Sequence, residues 1–176
     1  MDVKKAIENR RSIRKYQDKD VPDDLIRKLI DSARLAPSGN NAQPSSYFIV
    51  KDIETKNKLR ENKIFKQSFV YQAPTIIVCC ANPDTYSKHN EELDDSNKIR
   101  AIRDLSISSS FLVLRATELG LGTCYVGWIE KEKIKKVLDI PETYIVPYVV
   151  TVGYPAEKPK PTPRKRIEKI LLSKPI

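Results

Sequence analysis

Thr75-Ile76-Ile77-Val78-Cys79-Cys80-Ala81, lying between Pro74 and Asn82, is the longest uninterrupted apolar run in the chain. Its continuity predicts a strand covered on both faces and therefore placed centrally. Upstream, Ser46–Lys51 reads as a second strand, and downstream Cys124–Val126 and Ile145–Gly153 supply two more. Asp2 can cap a short helix reaching Asn9. Val21-Pro22-Asp23-Asp24 opens a second helix, with Leu25, Ile26, Leu29, Ile30 and Ala33 as its buried stripe and Pro37 as its stop. Shorter helices are expected at 53–61, 64–72 and 130–139. The longest helix, Ile99–Leu119, carries Ile99, Ile102, Leu105, Ile107, Phe111, Leu112 and Leu114 around more than one face. An apolar stripe too wide for one surface suggests a helix buried in a core or in a dimer interface. Ser106, Ser109 and Ser110 on that helix would allow close approach. Helices and strands interleave irregularly, which gives an α+β class with one mixed or antiparallel central sheet surrounded by helices.

The chain has 176 residues, 40% hydrophobic and 31% charged, which fits one domain over 1–176. No apolar run is long enough to span a membrane, and the N-terminal MDVKKAIENRR lacks an apolar leader core, so the expected location is cytoplasmic. Three cysteines, two of them adjacent, do not make a disulfide framework. The net charge of +9 sits at the ends: residues 1–15 hold six Lys/Arg and two acids, and residues 158–176 hold seven and one. Such ends suit nucleic acid or, if they converge, a phosphorylated small molecule. Residues 82–98, with five acids and the only histidine, His89, lack periodicity and read as an exposed loop or lid.

The chemistry is bounded by what is missing. There is no G-x-G-x-x-G after the first strand, no G-x-x-x-x-G-K-[ST] and no G-x-S-x-G. One histidine with two adjacent strand cysteines cannot supply a zinc set, so no metal is expected. Three polar segments have no obvious structural duty. In Arg10-Arg11-Ser12-Ile13-Arg14, extended alternation would put Arg10, Ser12 and Arg14 on one side, two guanidinium forks and a hydroxyl suited to a phosphate. In Pro37-Ser38-Gly39-Asn40-Asn41-Ala42-Gln43-Pro44, amide side chains can read a donor–acceptor edge, while a helix C-cap with Gly39 or Asn40 left-handed serves equally. Three of the five glycines fall in Gly120-Leu121-Gly122-Thr123-Cys124-Tyr125-Val126-Gly127, where backbone would approach another group closely.

Taken together and in order, R-R-S-I-R-K-Y, A-P-S-G-N-N-A-Q-P, G-L-G-T-C-Y-V-G and the C-terminal G-Y-P-A-E-K-P-K-P-x-P-R-K-R resemble the nitroreductase family of FMN-dependent enzymes across almost the whole chain. The resemblance implies a homodimer with FMN at the subunit interface and NADH or NADPH as reductant. It implies phosphate contacts from Arg10, Arg11, Ser12, Arg164 and Arg166, with Arg14 near the pyrimidine edge or ribityl chain as an electrostatic stabiliser of reduced flavin. The other subunit would line the flavin with Pro37, Ser38, Gly39, Asn40, Asn41 and Gln43, and Gly122, Tyr125, Val126 and Gly127 would pass its dimethylbenzene–N5 side. Tyr125 stands where family members often have tryptophan. The implied reaction is ping-pong transfer from NAD(P)H to nitroaromatic, quinone or similar electron-poor acceptors, with no side-chain acid or base nominated. Reductive dehalogenation or flavin destruction is the alternative on the same scaffold. A basic nucleic-acid-binding domain is the alternative of another class, and it lacks a stacking motif or basic recognition helix.

Overall fold

The computed structural model describes residues 2–86 and 95–172. Five helices, α1 (Val3–Asn9), α2 (Asp23–Arg34), α3 (Ile53–Glu61), α4 (Asp95–Glu118) and α5 (Lys131–Val137), surround four strands, β1 (Ser45–Val50), β2 (Thr75–Ala81), β3 (Gly122–Val126) and β4 (Ile145–Gly153). The strands form one sheet in the order β1-β2-β4-β3, with every neighbouring pair antiparallel. Of the two sheet types the sequence allowed, the antiparallel one is realised.

All seven residues of β2 are buried, and the reason is a helix layer on each face. Ile77, Cys79 and Ala81 join Leu29 and Ala33 of α2 and Leu105, Leu112 and Ala116 of α4 in one core. Ile76, Val78 and Cys80 point the other way, to Leu59 of α3, Ile134 of α5 and Val70. Cys79 and Cys80 therefore face opposite layers, and both are free thiols.

α4 begins four residues earlier than Ile99. Its inward face buries Ala101, Leu105, Leu112, Val113 and Ala116, whereas Ile107 and Phe111 remain 36% and 41% exposed. The apolar band thus divides into a core face and a separate outward stripe, and Leu112 belongs to the core. The serines do more than permit approach. Ser108 Oγ donates to Ala33 O at 2.7 Å and meets Tyr47 Oη at 2.7 Å, and Ser109 Oγ meets Tyr148 Oη at 2.8 Å and accepts from Tyr125 at 3.0 Å. A row of tyrosines from β1, β4 and β3 is thereby laced to α4.

Two expectations are corrected. Residues 64–72 do not form an α-helix; only Ser68–Gln72 turns, as a 3-10 segment. The backbone at 64–65 is engaged elsewhere: Glu130 N–H donates to Ile64 O, Phe65 bridges Ile129, and Phe65 N–H donates to Tyr71 Oη. The segment 82–98 is not wholly an exposed loop, since Pro83 and Tyr86 are buried in a 3-10 turn and 95–98 belong to α4. Residues 87–94, His89 among them, lie outside the described residues. Among the described residues, no helix is long and apolar enough to cross a membrane, and no group of His, Cys, Asp and Glu gathers as metal ligands.

Candidate functional site

After α1 the chain runs extended beside β3. Ser12 pairs with Thr123 in a parallel bridge, and Ile13 N–H donates to Thr123 O at 2.9 Å. Ile13 turns into the core at 6% exposure, leaving Ser12 and Arg14 on the other side, as alternation requires. Gly122 is explained here: a Cβ on it would lie 2.7 Å from the Ile13 side chain, so its close approach is to that residue. Glu157 accepts from Arg14 N–H at 2.6 Å and Lys15 N–H at 3.1 Å, and Ala156 N–H donates to Lys15 O, tying the start of the C-terminal segment to the N-terminal one.

The arginines divide in their duties. Arg11 Nη1 donates to Glu8 O at 2.7 Å and Arg10 O at 2.8 Å, closing the C-terminus of α1. Arg10 and Arg14 form no ion pair with a described carboxylate, and neither do Arg164 and Arg166. Among the described residues Arg164 donates to the nearby Thr162 and Pro163 carbonyls, and Arg166 is exposed just before a 3-10 turn. Beneath Arg10 and Arg14 lies Cys124, whose thiol burial pushes up although Arg14, Ser12 and Arg10 oppose it.

The Pro37–Pro44 loop is built differently. Asn40, Asn41 and Gln43 all adopt positive φ, at 51°, 53° and 48°. Left-handed backbone at non-glycine residues is costly and persists where surrounding contacts over-determine it. Those contacts are present: Ser38 Oγ accepts from Gln43 N–H at 2.9 Å, and Asp104 Oδ2 of α4 accepts from Gly39 N–H at 2.8 Å. Gly39 itself is not left-handed; a Cβ there would meet Arg103 Nη2 at 3.1 Å and Tyr86 Oη at 3.3 Å. Pro37, Ser38 and Gln43 also line a cleft of about 440 Å³ floored by Ile30, Ala33 and Tyr47.

Asp104 carries no sequence signal beyond being an acid in an apolar helix. It is 2% exposed, and it accepts from Tyr86 Oη and from Arg103 Nε at 2.8 Å as well as from Gly39. Burial would raise its carboxyl, but the hydrogen bonds from Arg103, Tyr86 and Gly39 outweigh that and hold it below the ordinary carboxylate value. Burial, reinforced by the Asp104 acceptor, pushes the Tyr86 hydroxyl up to about 12.

The two segments occupy diagonally opposite corners of the sheet. Ser12, Thr123, Val152 and Thr75 lie in one row across it, whereas the loop enters at Ser45, opposite Ala81 at the far end of β2. Four strand steps and six residues along β2 separate them by roughly 28 Å, whereas the larger ligand clefts are about 10 Å across. Within one chain, therefore, the corners do not meet on one small ligand. Tyr125 and Gly127 are exposed on or just after β3, while Val126 is buried. Gly127 has nothing within 4 Å of where its Cβ would be. The Tyr125 ring packs edge-on to Tyr148 at 5.3 Å, and burial raises the Tyr125 hydroxyl.

The fold is α+β with an antiparallel sheet, carrying a basic extended segment at one corner and a polar, partly left-handed loop at the other. The chain belongs to the nitroreductase family: residues 7–64 and 61–154 match the model of the Nitroreductase family. It is 38% identical over 168 residues, 90% of this chain and 80% of the relative, to a Methanothermobacter thermautotrophicus protein provisionally named NADH dehydrogenase/NAD(P)H nitroreductase. It is 28% identical to the FMN reductase [NAD(P)H] of Bacillus subtilis, over 93% of this chain and 70% of that one. Among solved structures, B. megaterium NfrA2 superposes with a TM-score of 0.87 at 28% identity, covering all of this chain and 76% of that one. A nitroreductase family protein from Clostridium difficile 630 superposes with a TM-score of 0.81 at 27% identity, each chain covered in full.

Proposed function

We propose that the chain reduces electron-poor aromatic acceptors such as nitroaromatics and quinones by a ping-pong mechanism, in a homodimer whose two FMN sites each draw one corner from each subunit. At the coarser level the chain is an FMN-dependent NAD(P)H oxidoreductase. The observation that supports the shared site is the separation of the Arg10–Arg14 segment and the Pro37–Pro44 loop to opposite corners of one sheet.

The residues present fit FMN. Arg10 and Arg14 lack carboxylate partners among the described residues and stand beside the Ser12 hydroxyl, a donor set suited to a phosphate dianion. Arg164 and Arg166 would add to it from the C-terminal segment, and Arg11, committed to the end of α1, would contribute mainly charge. The loop would present Ser38, Gly39, Asn40, Asn41 and Gln43 to the ring edge, with Pro37 as an apolar wall. Gly127 and Tyr125 would flank the ring, with Gly122 and Val126 supporting that segment through the Ile13 contact and the core.

FMN, when bound, supplies the two-electron chemistry, taking hydride from NAD(P)H and passing electrons to the acceptor. The chain would hold the phosphate and orient one ring face, and Arg14 would supply a cation that favours negative charge on the ring's polar edge. One open ring face would serve donor and acceptor in succession, which is the basis for ping-pong order. The outward stripe of α4, with Ile107 and Phe111, supplies the apolar surface for the second subunit.

The test is a visible spectrum of the purified protein, identification of the cofactor released on denaturation, and steady-state kinetics with NADH, NADPH and an acceptor series. Free FMN and parallel double-reciprocal lines are expected. A colourless protein that binds no added FMN would overturn the reading, and intersecting lines would overturn the ping-pong order.

A further inference from the structure

The geometry points to Asp104 as the positioning residue that holds the Ser38–Gln43 loop in its flavin-lining shape, an inference that rests on the FMN reading above. The loop departs from relaxed backbone at Asn40, Asn41 and Gln43. It is held from within by Asn41 N–H to Ser38 O, Ala42 N–H to Gly39 O, Gln43 N–H to Ser38 Oγ and Gln43 Nε2 to Asn41 O, and from α4 by the Asp104 carboxylate, which accepts from Gly39 N–H. Asp104 is the external anchor. It is fixed in turn, because Oδ2 also accepts from buried Tyr86 and Oδ1 from Arg103. The arrangement is compact: a Cβ on Gly39 would lie 3.1 Å from Arg103 Nη2 and 3.3 Å from Tyr86 Oη, so those groups would have to give by a few tenths of an ångström.

A carboxylate buried in the middle of an amphipathic helix is costly unless each lone pair is used. A well-packed apolar residue of similar size would serve helix packing at least as well. What an apolar residue cannot do is accept the Gly39 N–H, the hydrogen bond by which the helix holds the loop. The same oxygen joins the loop to Tyr86, so the loop and the turn after β2 are held by one acceptor.

Asp104→Leu removes the acceptor and keeps an apolar core, and Asp104→Asn keeps a carbonyl acceptor without the charge. Tyr86→Phe leaves Asp104 and Gly39 in place and removes only the third donor to the shared oxygen. Hydrogen exchange at the Gly39 amide in flavin-free protein, and FMN affinity by fluorescence titration, are measured on all of them beside the unaltered chain. For Asp104→Leu, Gly39 exchange is expected to accelerate at least tenfold and FMN affinity to fall about ten- to a hundredfold, the range for a charge-assisted hydrogen bond. Asp104→Asn should recover part of both effects, and Tyr86→Phe should shift each by only a few-fold. If Asp104→Leu loses thermal stability but keeps the FMN affinity and Gly39 protection of the unaltered chain, the residue is structural only and the inference falls. Should Asp104→Leu fail to fold, Asp104→Asn decides alone, since unchanged affinity and unchanged Gly39 exchange in it would contradict an anchor that uses charge. An unaltered chain that binds no FMN while Gly39 stays protected would break the flavin reading, a result distinct from failure of the anchor.

Discussion

The two corners of the sheet are opposites in construction. At the corner where residues 10–14 run beside β3, backbone is paired in register, Ile13 locks into the space Gly122 leaves, and the Arg10 and Arg14 guanidinium groups have no carboxylate partner among the described residues. At the loop corner, the backbone N–H groups of Gln43 and Gly39 are tied to the Ser38 hydroxyl and the Asp104 carboxylate, while the backbone of Asn40, Asn41 and Gln43 is held left-handed. One corner carries guanidinium groups without carboxylate partners among the described residues on paired, extended backbone, and the other holds left-handed backbone through the side-chain acceptors Ser38 and Asp104. The difference teaches what each end of a phosphorylated ring needs: counter-charge for the phosphate, and fixed donors and acceptors at the ring edge.

The largest expected effect comes from separating the corners. Phe111→Asp places a charge on the exposed stripe of α4 and should yield a folded monomer without bound flavin, read by light scattering and the visible spectrum; a flavin-loaded monomer would contradict the shared site. Leu112→Asp, one residue away but fully buried, should instead unfold the chain, because an uncompensated charge enters the core.

Next in size is removal of the basic charge. Arg10→Ala with Arg166→Ala should weaken FMN binding by about 1.5–3 kcal/mol for each lost contact, with the melting temperature of flavin-free protein unchanged. An unchanged dissociation constant would remove both residues from the phosphate site.

Glycines sharpen the contrast at smaller cost. Gly122→Ala should destabilise by about 1–3 kcal/mol, since its Cβ would sit 2.7 Å from Ile13 and press the basic segment off β3. Gly127→Ala, with open space around it, should be close to neutral in denaturant unfolding, and equal effects at the two positions would dissolve the distinction.

The smallest effect is in acid. The Asp104 carboxyl is held below its unfolded value, so its contribution is fully present above the unfolded pKa and fades as pH falls through the folded one. Stability should therefore decline below about pH 4 in the unaltered chain. The decline should be shallower in Asp104→Asn, and superimposable acid curves would show that this carboxylate is not the linked group.

Much of this was legible in sequence because periodicity reports burial. The uninterrupted run of β2, six apolar residues behind Thr75, announced a strand covered twice, and Asp23-Asp24 with the α2 stripe announced that helix. The polar segments were legible as candidates since nothing structural required them. What failed had tertiary causes. Residues 64–72 carry helical spacing, but Glu130, Ile129 and Tyr71 claim their backbone groups. Gly122 advertised a close approach without saying that Ile13 was the neighbour. Leu112 and Phe111 are adjacent in sequence, and only the packing of α4 on β2 and β4 assigns one to the core and the other to the outward stripe. Asp104 had no local signature, because its partners come from residues 39, 86 and 103, brought together by the fold.

The central claim is that each flavin site takes its basic corner from one subunit and its loop from the other. Co-expression of an Arg10→Ala/Arg14→Ala chain with an Asn40→Ala/Asn41→Ala chain, carrying different tags, tests it most directly. The purified mixed dimer is predicted to bind one FMN per two chains, because one site combines both intact corners while each parent dimer binds none. A mixed dimer with no FMN would place both corners of a site in one subunit and contradict the account.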